Sequence, residues 1–192
     1  MIRAEFAAVL AAAQRGDDAA FTRIFRDAQP PLLRYLRVID PARAEDVAAD
    51  TWDRVAARLG RFSGDERAFR EWLFTIARRG VAGQGRPRTR RRTTPRHRSG
   101  AEDPLTLPDA TDAVLERLGT QAALAAVAEL TPDEAEIIML RMVAGLDTQQ
   151  VARLVGKSPG EVRAAAHRAL RRLARRPQPP RDGSTECQAR PA

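Results

Sequence analysis

The chain has 192 residues, with 33 Lys and Arg against 25 Asp and Glu and a formal net charge of +8, carried almost wholly by arginine because Lys157 is the sole lysine. That length suits one domain or two small ones and excludes a large enzyme barrel, while 43% hydrophobic and 30% charged residues favour a globular chain over a disordered one. A single cysteine, Cys187, excludes an internal disulfide framework and a cysteine-rich metal site; no apolar run nears the ~20 residues that span a bilayer; and charges flanking the short apolar start exclude a secretory signal, so a soluble, cytoplasmic, basic protein is expected.

Apolar residues recur at helical spacing through most of the chain, and no alternating run bounded by turn residues predicts a strand. Phe21, Ile24 and Phe25, then Leu32, Leu33 and Leu36, form a first stripe expected to break or bend at Pro30 and Pro31. Ala44, Val47, Ala48, Thr51, Val55 and Leu59 form a second. Phe69, Trp72, Leu73, Ile76 and Ala77 form a third, with Ser63 and Glu66 spaced as a capping box at its start. This first half predicts three or four packed helices.

From Gly80 the composition changes. The run GVAGQGRPRTRRRTTPRHRSG holds seven arginines between Arg86 and Arg98 and no acid, predicting a fraying helix end and then a flexible basic linker. Its charges read either as a solvated tether or as contacts to nucleic-acid phosphates. Ala101 to Asp112 is acidic and proline-containing. Helical spacing resumes near Thr111 with Val114, Leu115 and Leu118 and continues through Ala122, Ala126, Val127 and Leu130. Thr131, Pro132 and Glu134 predict a helix start with a Thr cap, a first-position proline and a box-completing glutamate. Ile137, Ile138, Leu140, Met142 and Val143 supply its buried face, and Gly145 its end. The last 18 residues, from Arg175, read as a disordered tail in which Cys187 is an incidental thiol.

The segment TQQVARLVGKSPGEVRAAAHRALRRLARR carries most of the functional information. Small Ala152 allows two helices to approach, Gly156 four residues on suits a turn with positive φ, and Val162 six further on pins the second helix. Ser158, Pro159 and Glu161 restart the chain with a complete capping signal. These spacings predict a DNA-binding helix-turn-helix. On its second helix Val162, Ala165, Ala166, Ala169 and Leu173 should be buried; Gly160, Arg163, Ala164, His167, Arg168 and Arg171 should face out toward a phosphate-lined major groove. Arg163 and His167 are candidates for base edges. Lys157, Arg168, Arg171 and Arg172 are candidates for phosphates, which position without specifying.

RAEDVAADTWDRVAARLGRF followed by FREWLFTIAR resembles the second conserved region of bacterial sigma factors, in the short extracytoplasmic-function group. ELTPDEAEIIMLRMVAGLDTQQVARLVGKSPGEVRAAAHRALRRL resembles that group's fourth region. The resemblance implies an all-α chain of two small helical domains: 1–86 for core polymerase and the downstream promoter box, a linker over 87–112, 113–175 for the upstream box, and a tail over 176–192. It implies a protein that is not an enzyme, needs no cofactor or metal, binds core RNA polymerase through the largest subunit's clamp helices and the flap, reads promoter DNA and helps open it. By the resemblance, Asp46, Asp50, Thr51, Trp52 and Asp53 dock on the clamp helices, Trp72, Arg78 and Arg79 serve the downstream box, and Lys157, Ser158, Arg163, Ala164, His167, Arg168 and Arg171 serve the upstream box. An anti-sigma partner is implied; free, the chain is expected to be a monomer with two mobile domains and no membrane insertion.

Physical spacing agrees in part. Asp46, Asp50 and Asp53 make one acidic stripe in a basic protein, which repels DNA and suits arginines on a protein partner, though a solvated helix face has the same pattern. The chain departs from the family at Arg79, where Asn is usual, and at Gly83, usually acidic and within a continuing helix; Gly80, Gly83, Gly85 and Pro87 are expected to end that helix early. Ala164 and Ala165 stand where Ser and Arg are frequent, predicting weak affinity for the isolated upstream box. A free-standing helix-turn-helix regulator is the alternative, and leaves the acidic stripe and FREWLFTIAR without a role. A basic RNA- or membrane-surface binder acting through the linker is a third reading.

Overall fold

The computed structural model describes residues 5–83 and 121–175. The basic linker, the acidic stretch, the expected helix start near Thr111, Gly85, Pro87 and the tail with Cys187 lie outside the described residues. The rest is all-α, with no strand among the described residues: α1 (Phe6–Gln14), α2 (Asp18–Ile39), α3 (Ala44–Ala56), α4 (Glu66–Gly83), α5 (Gln121–Ala128), α6 (Pro132–Ile138), α7 (Thr148–Val155) and α8 (Pro159–Ala174).

The N-terminal segment, assigned no element from sequence, forms α1. Phe6, Val9, Leu10 and Ala13 all turn inward, a spacing that puts four apolar residues on one helical face. The Asp17 carboxylate then accepts the Ala20 amide at 3.0 Å and starts α2. Of the expected break or bend, no break occurs: α2 runs continuously through Pro30 and Pro31. An interior proline costs ~3 kcal/mol or more, but Ile24, Ala28, Leu32, Tyr35 and Leu36 on both sides are buried in the same core, each large side chain contributing ~1.5–3 kcal/mol. Tertiary burial outweighs the local defect.

One further local expectation is corrected. The cap of α4 is Asp65, whose carboxylate accepts the Ala68 amide at 2.8 Å; Ser63 lies too far upstream for the helix that forms. The described part of α4 runs past Gly80 to Gly83, within the Gly80–Pro87 stretch expected to end it. Gly80 is buried where α4 crosses α3, and a β-carbon there would lie 3.0 Å from Val47 Cγ1. The close crossing offsets the ~1 kcal/mol helix penalty of glycine.

After Ile138 the chain widens into a π turn over Met139–Val143, with the Ala144 amide reaching back to the Met139 carbonyl at 3.1 Å. Gly145, at φ +68°, then ends this stretch as expected. Met139 and Leu140 are fully buried, and the π turn, α5 and α6 all pack on α2. One hydrophobic core therefore runs through both halves of the chain. The two mobile domains expected from sequence are here joined, because α2 presents one face to α1, α3 and α4 and another to the second half.

Candidate protein and nucleic-acid interfaces

The helix-turn-helix forms as its spacing requires. Asp147 and Gln150 make a capping box at α7, the Gln150 amide donating to the Asp147 carboxylate at 2.8 Å and the Asp147 amide to the Gln150 side-chain oxygen at 3.0 Å. Sequence reasoning missed this box, although Asp followed by Gln three positions later is its signature. Gly156 adopts φ +72°, and its amide and that of Lys157 both donate to the Ala152 carbonyl, at 2.9 and 3.1 Å. Ser158 and Glu161 then close the box at α8: the Glu161 amide donates to the Ser158 hydroxyl oxygen at 3.3 Å, and the Ser158 amide donates to the Glu161 carboxylate at 2.7 Å. Donation from the Ser158 side chain, then from its backbone, holds the Glu161 carboxyl below the usual range.

On α8, Val162, Ala165, Ala166, Ala169 and Leu170 are buried, and Gly160, Arg163, Ala164, His167, Arg168 and Arg171 are exposed. Leu173, expected on the inner side, is half-buried; Leu170 is the inward leucine. The rim cations have acidic neighbours on α6. The Lys157 ammonium meets Asp133 at 2.7 Å, a hydrogen bond and charge that raise its pKa. Glu134, only 4% exposed, takes Arg172 at 2.7 Å and Arg168 at 3.5 Å. This is a correction at the start of α6: Thr131 occupies the cap position without a side-chain bond, and Glu134 spans to α8 instead of completing a box. A buried carboxylate gains more from two guanidinium groups than from one amide.

On α3, Asp46, Asp50 and Asp53 are exposed, and none forms an ion pair with a cation among the described residues. Thr51 and Trp52 turn the other way. The Thr51 hydroxyl, 1% exposed, donates to the Val47 carbonyl at 2.6 Å. The Trp52 indole, 7% exposed, donates to the Gln29 side-chain oxygen at 2.6 Å and packs against Phe21 and Phe25. These two side chains set the orientation of the acidic face; the three carboxylates form it.

On α4, Trp72 is half-buried and stacked on Phe62, with ring centres 4.9 Å apart and planes at 23°. Arg79 is exposed. Arg78 is not free: it forks onto Glu136 of α6, Nε to Oε1 at 2.8 Å and Nη2 to Oε2 at 3.4 Å, and the Tyr35 hydroxyl donates to the same Oε1 at 3.1 Å. Burial disfavours the Arg78 charge, yet the Glu136 hydrogen bond and charge raise its pKa overall. Burial first, then Glu136, push the Tyr35 hydroxyl well above its ordinary value. Two turns earlier on α4, Glu71 takes a two-pronged bond from Arg153 of α7, both distances 2.9 Å, and a third from the Gln150 side-chain amide at 3.1 Å. Sequence reasoning missed Tyr35, Glu71, Glu136, Gln150 and Arg153, because partners 58 to 101 positions apart leave no local pattern. Among the described residues no cluster of His, Cys, Asp and Glu could hold a metal ion.

Residues 24–91 match the family model described as Sigma-70 region 2, and residues 120–173 match that described as Sigma-70, region 4. The ECF RNA polymerase sigma factor BldN of Streptomyces coelicolor is 37% identical over 166 residues, which are 85% of this chain and 62% of that relative; the chain thus spans less than two thirds of BldN. The ECF RNA polymerase sigma factor SigD of Mycobacterium tuberculosis is 33% identical over 179 residues, covering 86% of this chain and 81% of SigD. Among solved structures, the sigma factor RpoE of Bartonella quintana in complex with the anti-sigma factor NepR shares the fold, with a TM-score of 0.53 at 22% identity over 80% of this chain and 93% of that one.

Proposed function

The chain belongs to the extracytoplasmic-function group of sigma-70-type RNA polymerase sigma factors, and from that premise we propose that it binds core polymerase and confers promoter choice as follows. The exposed acidic stripe of α3 docks on the clamp helices of the largest subunit. Asp46, Asp50 and Asp53 make the contact, and Thr51 and Trp52 hold the helix in place. The second unit, near the flap, lays α8 in the major groove of the upstream box. Arg163 and His167 read base edges, Ala164 leaves room for close approach, and Lys157, Ser158, Arg168 and Arg171 bind phosphates. In the downstream box, Arg78 and Arg79 contact the unpaired strand, and Trp72, stacked on Phe62, supports their helix. Units over 1–86 and 113–175 divide these tasks. The chain catalyses no reaction of its own in this reading, and an anti-sigma protein is its regulatory partner.

The observation that carries this reading is the acidic stripe, exposed and without an ion-pair partner among the described residues, on the same chain as an intact helix-turn-helix. A free-standing regulator needs only the latter. Purified chain should pull down core RNA polymerase and direct transcripts from a genomic fragment library to starts below a shared two-box sequence. Asp50→Arg should weaken polymerase binding by about tenfold or more while leaving the helical signal intact. Unchanged polymerase binding by the variant removes the docking assignment; specific duplex binding with no polymerase binding by the wild type returns the regulator.

A further inference from the structure

Two adjacent acids at the start of α6 face one flank of α8. Asp133 meets Lys157 of the turn at 2.7 Å, and Glu134 meets Arg172 at 2.7 Å and Arg168 at 3.5 Å. Arg168 and Arg172 lie one helical turn apart, so a single carboxylate reaches both. Arg171, about 100° round the helix from Arg172, is exposed and has no ion pair among the described residues. His167 is turned by a similar angle from Arg168, away from the two acids.

The three pairs differ in how firmly they hold. The Glu134 side chain is 5% exposed. Taking Arg172 from it would leave a buried carboxylate short of its main partner, which is strongly destabilising, so Arg172 stays on Glu134 when DNA arrives. Arg168, 59% exposed and farther off, is held more loosely. Lys157 and Asp133 are 32% and 67% exposed, and a pair so open to water exchanges readily. A phosphate that approaches Lys157 or Arg168 competes with a carboxylate already in place, and the carboxylate it displaces remains nearby and repels it. That repulsion opposes the sequence-independent part of duplex binding, which comes from phosphates neutralised by cations.

We propose that Asp133 and Glu134 are a brake on sequence-independent DNA binding: Glu134 keeps Arg172 as a strut between α6 and α8, and the two acids compete with phosphates for Lys157 and Arg168. Neither acid touches a base. Both are positioning residues that act through the cations they hold, and they keep the second unit from gripping duplex DNA by charge alone. Retention then depends on the middle of the α8 face, where base edges are read. The brake rests on the reading of α8 as the duplex-binding helix.

The test measures binding of the full chain to a fluorescein-labelled duplex of scrambled sequence over a range of salt. Asp133→Asn should bind it about threefold more tightly than the parent. The slope of log affinity against log salt should steepen by about one, the value for one more cation taken up by phosphate. In a Lys157→Ala background the same substitution should change neither quantity. A mere loss of negative charge acts in both backgrounds, so the cycle isolates competition for the lysine. Glu134→Gln should repeat the pattern against Arg168→Ala, and should also lower the thermal midpoint of the helical signal because the strut to Arg172 is weakened. Asp133 is exposed, so its variant leaves the packing untouched and decides the matter if the Glu134 variant does not fold. No gain by Asp133→Asn, an unchanged salt slope, or an equal gain without Lys157 overturns the brake. If the parent directs polymerase to a shared two-box sequence and Asp133→Asn gains nothing, the brake alone falls. If Asp133→Asn gains affinity through Lys157 while the parent binds no polymerase, the brake stands and the proposed function falls.

Discussion

At the scale of single residues, position in three dimensions decides between two uses of the same side chain. Glu134 and Glu161 both stand third in their helices, behind a Thr and a Ser in cap position. Glu161 closes its box with Ser158, whereas Glu134 is drawn to Arg168 and Arg172. The Glu161 carboxyl titrates below its ordinary value, so its contribution is present in full above the usual carboxylate range, near ~4.3, and is lost as pH falls through the lower folded value. Glu161→Gln should therefore be less stable than the parent at neutral pH, and the gap should close below about pH 4. Urea unfolding at several pH values checks this; a gap independent of pH would mean that the carboxylate charge adds nothing to the cap. Gly80 makes the same point for backbone. Read locally it ends a helix; in place it lets α4 cross α3 at a distance that leaves 3.0 Å between a notional β-carbon and Val47.

At the scale of elements, α8 and the turn before it separate two kinds of cation. Lys157, Arg168 and Arg172 are bonded to acids of α6, which orients their side chains at the rim before any DNA arrives. Arg163 and His167 project from the middle of the exposed face. Arg163→Ala with His167→Ala should relax the choice of upstream box, at ~1–3 kcal/mol for each bidentate hydrogen-bonded pairing with a base that the variant can no longer make. Lys157→Ala should weaken all sequences alike and flatten the salt dependence. Competition between the preferred box and scrambled duplex measures the difference, and an unaltered preference in the double variant would place the reading face elsewhere on α8.

At the scale of the whole molecule, one core joins the two units, and the chain should unfold as they unfold together. Both tryptophans, Trp52 and Trp72, lie in the first unit, while Leu140, fully buried, lies in the second. Leu140→Ala should cost ~2–5 kcal/mol and should lower the midpoint followed by tryptophan fluorescence along with that followed by helical signal. A tryptophan transition that stays in place would show that the first unit melts by itself, with the seam contributing little to its stability.

The amino-acid sequence by itself determined the helical class and most of the helices, though not α1 or the π turn. Apolar stripes at helical spacing, the Gly156 turn and the Ser158–Glu161 cap join residues within a few positions of one another, and local chemistry suffices to specify them. The exposed cations of α8 and the acidic stripe of α3 were legible for the same reason, since one face of a helix follows from 100° per residue. Tertiary structure decided what local chemistry leaves open: that α2 continues through two prolines, that Gly80 serves a close crossing of α4 over α3, that Trp52 turns inward, and that Arg78 faces a carboxylate 58 positions away. Those outcomes are sums of burial and charge over partners brought together only when the chain has folded, and they exceed the local preferences of ~1–3 kcal/mol that a sequence displays.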